Sequence, residues 1–402
     1  MAGRQFLTQL GQEDIILSGQ PEITFFKEQY KAQGLFASRV TEVSFTSDVT
    51  YGEEVSVEIP LNGDLVTAMY LRFDFPVNLA PIQFTPLAGL QMINYVELYS
   101  GNQLVERLWG EYIGLLSDCE VPASKRNSLA GIIGSGKPGT LSLPSSRYTV
   151  VLPFQCLVSG LPLVKGLRFN VNLNSSKIFT YPPVDSIPSM QLKFLTEFVI
   201  LNELERNFIK KRGKTLYLGE SVQRARFTVP AGQSNVRCVT QFLHPVKEFF
   251  FTIKNESSGE FDYWYDYSNT VTTTNWSSSY SNINHLNSMA IYFEGTQRVD
   301  PLWATNIYLG TTQFIDYHTK VPTRPFYMYS FSLDPENRKP TGTVNMGRIK
   351  NQYFDFFLKP SKHDRILTIW ARYYTFLEVN GFDTITNLYD NNGDDGYILY
   401  LT

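Results

Sequence analysis

Residues 101–109 read GNQLVERLW, and residues 295–303 read GTQRVDPLW. Gly101, Gln103 and Trp109 of the first copy match Gly295, Gln297 and Trp303 of the second, the Val and Leu columns are also identical, and Glu106 faces Asp300. The flanks agree as well. NYVELYS (94–100) precedes the first copy and NSMAIYFE (287–294) the second, each a short alternating apolar run. Solenoid units repeat every 20–50 residues or so. A spacing of 194 residues is instead the size of a domain, so the pair predicts two related domains in tandem.

The sequence around each copy has one character. VTEVSFTSDV, EEVSVEIPL, LVTAMYLRFDFP, RYTVVLPF and LRFNVNLN surround the first; SVQRARFTVP, VKEFFFTIKN, FYMYSFSL, FDFFLKP and ILTIWARYYTFLEV surround the second. These are β-branched and aromatic runs of strand length, several with period-2 alternation, punctuated by turns such as LNGD (61–64) and SGLP (159–162). Each half therefore reads as an all-β sandwich or barrel. ELERNFIKKRGK, after Asn202, is polar and charged and reads as a linker with a short helical piece. PEITFFKEQYK (21–31) carries the best helix signal: Pro21 suits the first helical position and Phe26 shares a face with Tyr30. Two long connections, 117–147 and 255–286, read as outer loops or contact surfaces.

Composition narrows the function classes. The 402 residues are 43% hydrophobic, 14% aromatic and 18% charged, which describes folded domains rather than a disordered chain. A net charge of −3 lacks the broad basic footprint of a nucleic-acid binder. Cys119, Cys156 and Cys238 are odd in number and widely spaced, against a disulfide framework or a CxxC site, and they fit a reducing compartment. The first residues lack the unbroken apolar core of a signal peptide, and no run reaches the roughly 18 apolar residues that a membrane span requires.

Candidate chemistry fails on inspection. GIIGSGKP (131–138) resembles a phosphate-binding loop, but Pro138 replaces the hydroxyl that would hold Mg²⁺ and resists starting the helix. DNNGDDG (390–396) has its glycine one place late for a calcium loop, with Leu401 at the position of the bidentate Glu. His244, His285, His318 and His363 show no metal-ligand spacing, and the carboxylates form no evident catalytic pair. The expectation is no catalytic residue, no metal and no cofactor. KKRGK (210–214) reads as a solvated linker. Asn174, Asn255 and Asn275 open N-x-S/T sequons, which in a cytosolic chain would go unused. The Tyr/Trp/Ser/Asn-rich stretch 261–285 has the composition of a wet contact surface.

YSFSLDPENRKPTGTVNMGRI (329–349) resembles the YSF-x-L-x-P-x-x-x-Q-P-S-G-T-x-N-F-S-R-I pattern of the major capsid proteins of nucleocytoplasmic large DNA viruses, such as the iridoviruses and chlorella viruses. Tyr329, Ser330, Phe331, Leu333, Pro335, Pro340, Gly342, Thr343, Asn345, Arg348 and Ile349 match; Lys339, Thr341, Met346 and Gly347 depart from it. GQEDIILSGQPEITFFKEQYK (11–31), LPF…SGLPLVKG (152–166), FVILNELERNF (198–208), HPVKEFFF (244–251) and ARYYTFLEVNGF (371–382) are similar to further family segments in the right order. The resemblance implies a double jelly roll, two tandem eight-stranded sandwiches with a short N-terminal helix. It divides the chain into an N-terminal segment (1–33), a first jelly roll (34–203), a linker (204–215) and a second jelly roll (216–402). It also implies a homotrimeric, pseudo-hexagonal capsomer that tiles an icosahedral shell. Its partners would be neighbouring capsomers and minor capsid proteins beneath, with an internal virion membrane nearby and assembly in the host cytoplasm. Within the signature, Pro340, Thr341, Gly342, Thr343 and Asn345 are expected to build a turn: Pro340 ending a strand, Gly342 allowing positive φ, and the side chains of Thr341, Thr343 and Asn345 satisfying turn amides.

Two other classes compete. A tandem sandwich that binds glycans or a receptor would use the 261–285 stretch. An enzyme on the same scaffold would require a His cluster or carboxylate pair, which the sequence does not display.

Overall fold

The structure is a computed structural model that describes residues 11–12, 15–16, 19–22, 24–26, 32–45, 49–76, 82–134, 146–181, 184, 187, 190–256, 267–269, 284–388 and 398–399. Residues 36–402 form one unit and residues 1–35 another. Among the described residues of the smaller unit, Ile15 and Ile16 are helical, and Gly19 N–H bonds to the Ile15 carbonyl at 2.9 Å. The helix expected over 21–31 lies largely outside the described residues: Phe25 and Phe26 form a turn, and residues 23 and 27–31 are not among those described.

The larger unit contains the same eight strands twice. In the first half β1 (Phe36–Ser44), β2 (Glu54–Glu58), β3 (Leu65–Asp74), β4 (Ile93–Ser100), β5 (Gln103–Trp109), β6 (Arg147–Leu152), β7 (Leu167–Leu173) and β8 (Gln191–Leu201) form two antiparallel sheets, ordered β1-β8-β3-β6 and β2-β7-β4-β5. The second half has β9 (Lys214–Val229), β10 (Asn235–Thr240), β11 (Pro245–Asn255), β12 (Leu286–Phe293), β13 (Thr296–Val299), β14 (Tyr327–Ser330), β15 (Gln352–Leu358) and β16 (Arg365–Asn380). Its sheets are ordered β9-β16-β11-β14 and β10-β15-β12-β13. Adding eight to each strand number converts one half into the other. This is the double jelly roll.

Alternation sets the cores. In β3, Met69, Leu71 and Phe73 point inward while Tyr70, Arg72 and Asp74 point out, so one face is apolar and the other wet. Phe169 and Phe194 stack across the first sandwich at 4.3 Å, and Phe249 meets Phe354 edge-on at 5.2 Å in the second. Strand β11 does not alternate: from Val246 to Lys254 every residue is buried, which places both faces of that strand away from water. A strand inside a two-sheet sandwich reaches this state only when something else covers its outer face.

Two connections are more helical than their sequence reading. Within 117–147, residues Arg126–Ile133 form helix α2, after helix α1 (Gly110–Cys119). The stretch after Asn202 is a ten-residue helix, α3 (Glu203–Arg212), capped by the Asn202 side chain on the Glu205 N–H at 2.9 Å. Lys210, Lys211 and Arg212 of KKRGK are its last turn, where cations meet the negative end of the helix dipole.

Candidate functional site

The duplicated stretch occupies the same place in both halves, a hairpin followed by a helix. In the first, β4 and β5 are joined by a two-residue turn in which Gly101 has φ 60°. In the second, Glu294 (φ 49°) and Gly295 (φ 77°) both have positive φ between β12 and β13, so the turn sits one residue earlier than the sequence match suggests. Glu294 tolerates that conformation because its backbone N–H bonds to the Asn351 carbonyl and its carboxylate accepts the Lys350 and Asn351 amides. Helix α1 follows the first hairpin; a π-helical turn (Tyr308–Thr312) running into α4 (Gln313–Tyr317) follows the second.

The two copies have different surroundings. Trp109 is 5% exposed, with the Arg224 guanidinium of β9 stacked 3.5 Å from its ring centroid. Gln103 donates to the Asn387 carbonyl at 2.9 Å, and Tyr112 of α1 stacks on Trp370 of β16 at 5.8 Å. The first hairpin and α1 therefore lie on the outer face of the β9-β16-β11-β14 sheet, the cover that strand β11 requires. Trp303 is 44% exposed and touches Tyr308 of its own half. Pro301 interrupts the second strand, which ends at Val299.

Between α1 and that sheet lies a buried ionic cluster. Arg372 (β16) donates to Glu220 (β9) at 2.7 Å, to Glu248 (β11) at 3.0 Å and to Glu120, just past α1, at 2.5 Å. A β-bulge at Lys247 brings its ammonium to Glu220 at 2.5 Å and to the Pro335 carbonyl at 2.6 Å. His318 has Glu248 on Nε2 at 2.9 Å and Glu336 on Nδ1 at 3.0 Å. Burial draws the imidazole pKa down, but the Glu248 charge and hydrogen bond, together with the neighbouring Cys119, more than reverse this and raise it to about 12. Burial would raise Glu248; His318, followed by Arg372 and Lys247, lowers it to about 2. A second cluster binds α1 from the other side: Asp118 accepts from Lys320 at 3.1 Å and from the Arg324 Nε at 3.2 Å. These ion pairs are hydrogen-bonded and closed, so they hold the two sandwiches in register rather than offering a site to a ligand.

The signature stretch covers this cluster. Its Phe331 N–H bonds to the Lys247 carbonyl at 2.8 Å, and Pro335 and Glu336 supply the contacts to Lys247 and His318. Thr341 Oγ1 accepts the Asp334 N–H at 3.0 Å and meets Ser332 Oγ at 2.5 Å. Gly342 has φ 143°, and a Cβ there would stand 2.7 Å from the Phe331 carbonyl oxygen. Pro340 does not end a strand, since β14 already stops at Ser330; Pro340, Thr341 and Thr343 lie in the irregular stretch before the two-residue strand Val344–Asn345, which pairs with β11.

The remaining candidates are dispersed. His285 is buried on the Ser268 carbonyl with a pKa lowered by burial to about 3; His244 stacks on Tyr373, and His363 is exposed. Among the described residues no group of His, Cys, Asp and Glu could hold a metal, and no helix is long and apolar enough to cross a membrane. All three cysteines are buried and unpaired, and burial raises their pKa values. Asn174 and Asn255 use their side-chain amides on the Gln91 and Ser268 carbonyls. Asn275, most of 261–285, residues 135–138 of GIIGSGKP and all of 390–396 lie outside the described residues. Of 261–285, Tyr267 is buried and its hydroxyl reaches Glu111 of α1 at 3.1 Å.

Comparison with known proteins places these features in one group. The family model "Large eukaryotic DNA virus major capsid protein" matches residues 205–379, and "Major capsid protein N-terminus" matches residues 24–175. The chain is 25% identical to the major capsid protein of Pyramimonas orientalis virus, over 94% of this chain and 96% of that one. It is also 25% identical to the major capsid protein of Paramecium bursaria Chlorella virus 1, over 87% and 85%. Among solved structures, the fold matches the quasi-atomic model of the PBCV-1 virus capsid with TM-score 0.75, 19% identity and coverage of 92% and 100%. The Faustovirus major capsid protein matches with TM-score 0.71 and 10% identity, over 94% and 96%.

Proposed function

The chain belongs to the large eukaryotic DNA virus major capsid protein family, and on that premise we propose that it forms homotrimeric, pseudo-hexagonal capsomers that tile an icosahedral shell. Three chains with two sandwiches each supply six similar units, which is what a hexagonal lattice position requires of a threefold object. The observation that carries this reading is the strand-for-strand duplication together with the closed, charge-locked seam that fixes one sandwich against the other. A rigid pair is a tile; a hinged pair is not. The role is structural and not catalytic, with minor capsid proteins as partners beneath the shell and assembly in the host cytoplasm before incorporation into virions. The division at 33/34, 203/204 and 215/216 follows the same reading, with α3 as the connector. Residues 340–345 serve as a backbone turn that seats the signature stretch on the seam.

Negative-stain images of the purified protein test this directly. Face-on class averages with six lobes and threefold symmetry are expected. Single two-lobed particles at the same concentration would contradict it.

A further inference from the structure

The seam within one chain is a contact between unlike surfaces. Its donor is the first hairpin with α1, and its acceptor is the outer face of the β9-β16-β11-β14 sheet, whose rows Val222–Arg372–Glu248–Ser330 and Arg224–Trp370–Phe250–Met328 are covered. Duplication means that the chain has a second donor and a second acceptor. The second donor presents Leu302, Trp303, Ile307 (67% exposed) and Ile315 (65% exposed), the two isoleucines eight residues apart along one helical stripe. Its counterpart α1 has almost every residue buried. The second acceptor is the outer face of the β1-β8-β3-β6 sheet. There the row Glu42–Leu195–Tyr70–Val151 lies open or half-covered, next to Val40 (54% exposed) and a partly exposed ion cluster of Glu42, Arg72 and Lys193.

Both of these surfaces carry large apolar side chains that the chain itself leaves in water, and each has a buried twin within the same molecule. We infer that they bind each other between copies: the hairpin β12–β13 and the 301–317 segment of one protomer seat on the outer face of the β1-β8-β3-β6 sheet of the next, with Trp303 in the part that Trp109 plays within the chain. Donor and acceptor are different surfaces, so the contact is head-to-tail and propagates until the ring closes. This assignment rests on the trimer reading above and names the surfaces that make it.

A complementation experiment tests it. A donor variant carries Trp303→Glu and Ile307→Glu; an acceptor variant carries Val40→Glu and Val151→Glu. All four positions are exposed, and near-UV circular dichroism checks that each variant is folded. Each variant alone should run as a monomer of 46.0 kDa by light scattering. An equal mixture has one intact donor–acceptor pair and should give a heterodimer of about 92 kDa, two such chains, with no trimer. Either variant alone at the trimer mass, or a mixture that stays monomeric or restores the trimer, overturns the assignment. If the wild-type protein is itself a monomer, the trimer reading fails and this assignment falls with it. A trimeric wild type with trimeric variants removes the assignment alone.

Discussion

With a carboxylate on each ring nitrogen, His318 is an imidazolium that donates twice. Its folded pKa of about 12 stands above the ordinary value near 6.5, so the stability it contributes is full below about pH 6.5 and declines as pH rises toward 12. Glu248 works in the opposite sense: folded pKa about 2, stability present above about pH 4.5 and lost as pH falls through 2. His318→Gln removes the cation and leaves the buried Glu248 carboxylate and the partly exposed Glu336 facing one polar amide, a loss of about 3–5 kcal/mol. Urea midpoints measured from pH 7 to 10 should fall with pH more steeply for the wild type than for this variant; parallel slopes would refute the role given to His318. Gly342→Val is expected to lower soluble trimer yield and to cost at least about 1–3 kcal/mol, because a side chain at φ 143° meets the Phe331 carbonyl. An unchanged denaturation midpoint would remove that account of the turn. Little of the cluster is legible in the sequence. Glu248 and His318 stand 70 residues apart and Glu120 and Arg372 stand 252 apart, so no local spacing marks them.

At the scale of elements, one hairpin has two fates. The GNQLVERLW copy is sealed against the second sandwich, and the GTQRVDPLW copy faces out. Trp109→Ala should therefore lower the unfolding free energy of the chain by about 3–5 kcal/mol. Trp303→Ala should leave that quantity within about 1 kcal/mol and act on native mass instead. Chemical denaturation of each change in the Val40→Glu, Val151→Glu background, where the chain is expected to be monomeric, separates the two; equal losses would deny the difference in environment. This asymmetry is partly visible in the sequence. Phe249, Phe250 and Phe251 of β11 are three apolar residues in a row, as suits a strand covered on both faces, whereas MYLRFD of β3 alternates. Pro301 in place of Arg107 also signals that the second strand ends early. The expected helix at 21–31 had a good first residue and an apolar pair; Phe25 and Phe26 form a turn, and residues 27–31 lie outside the described residues. Helix α3 was more legible, because Asn202 caps it and its charges follow the dipole.

At the scale of the whole unit 36–402, two copies of one sandwich are locked at a charged, aromatic seam, with a second donor and a second acceptor surface facing water. The fold was readable from strand patterning and the duplicated stretch; the seam that fixes the tile was not, since it forms between residues from opposite halves of the chain. The central claim is that three such chains close into one ring. Light scattering after size exclusion, repeated over a hundredfold dilution, tests it most directly. A species of about 138 kDa, three chains of 46.0 kDa, that persists on dilution is the predicted result. A folded chain at 46.0 kDa across the same range would contradict it.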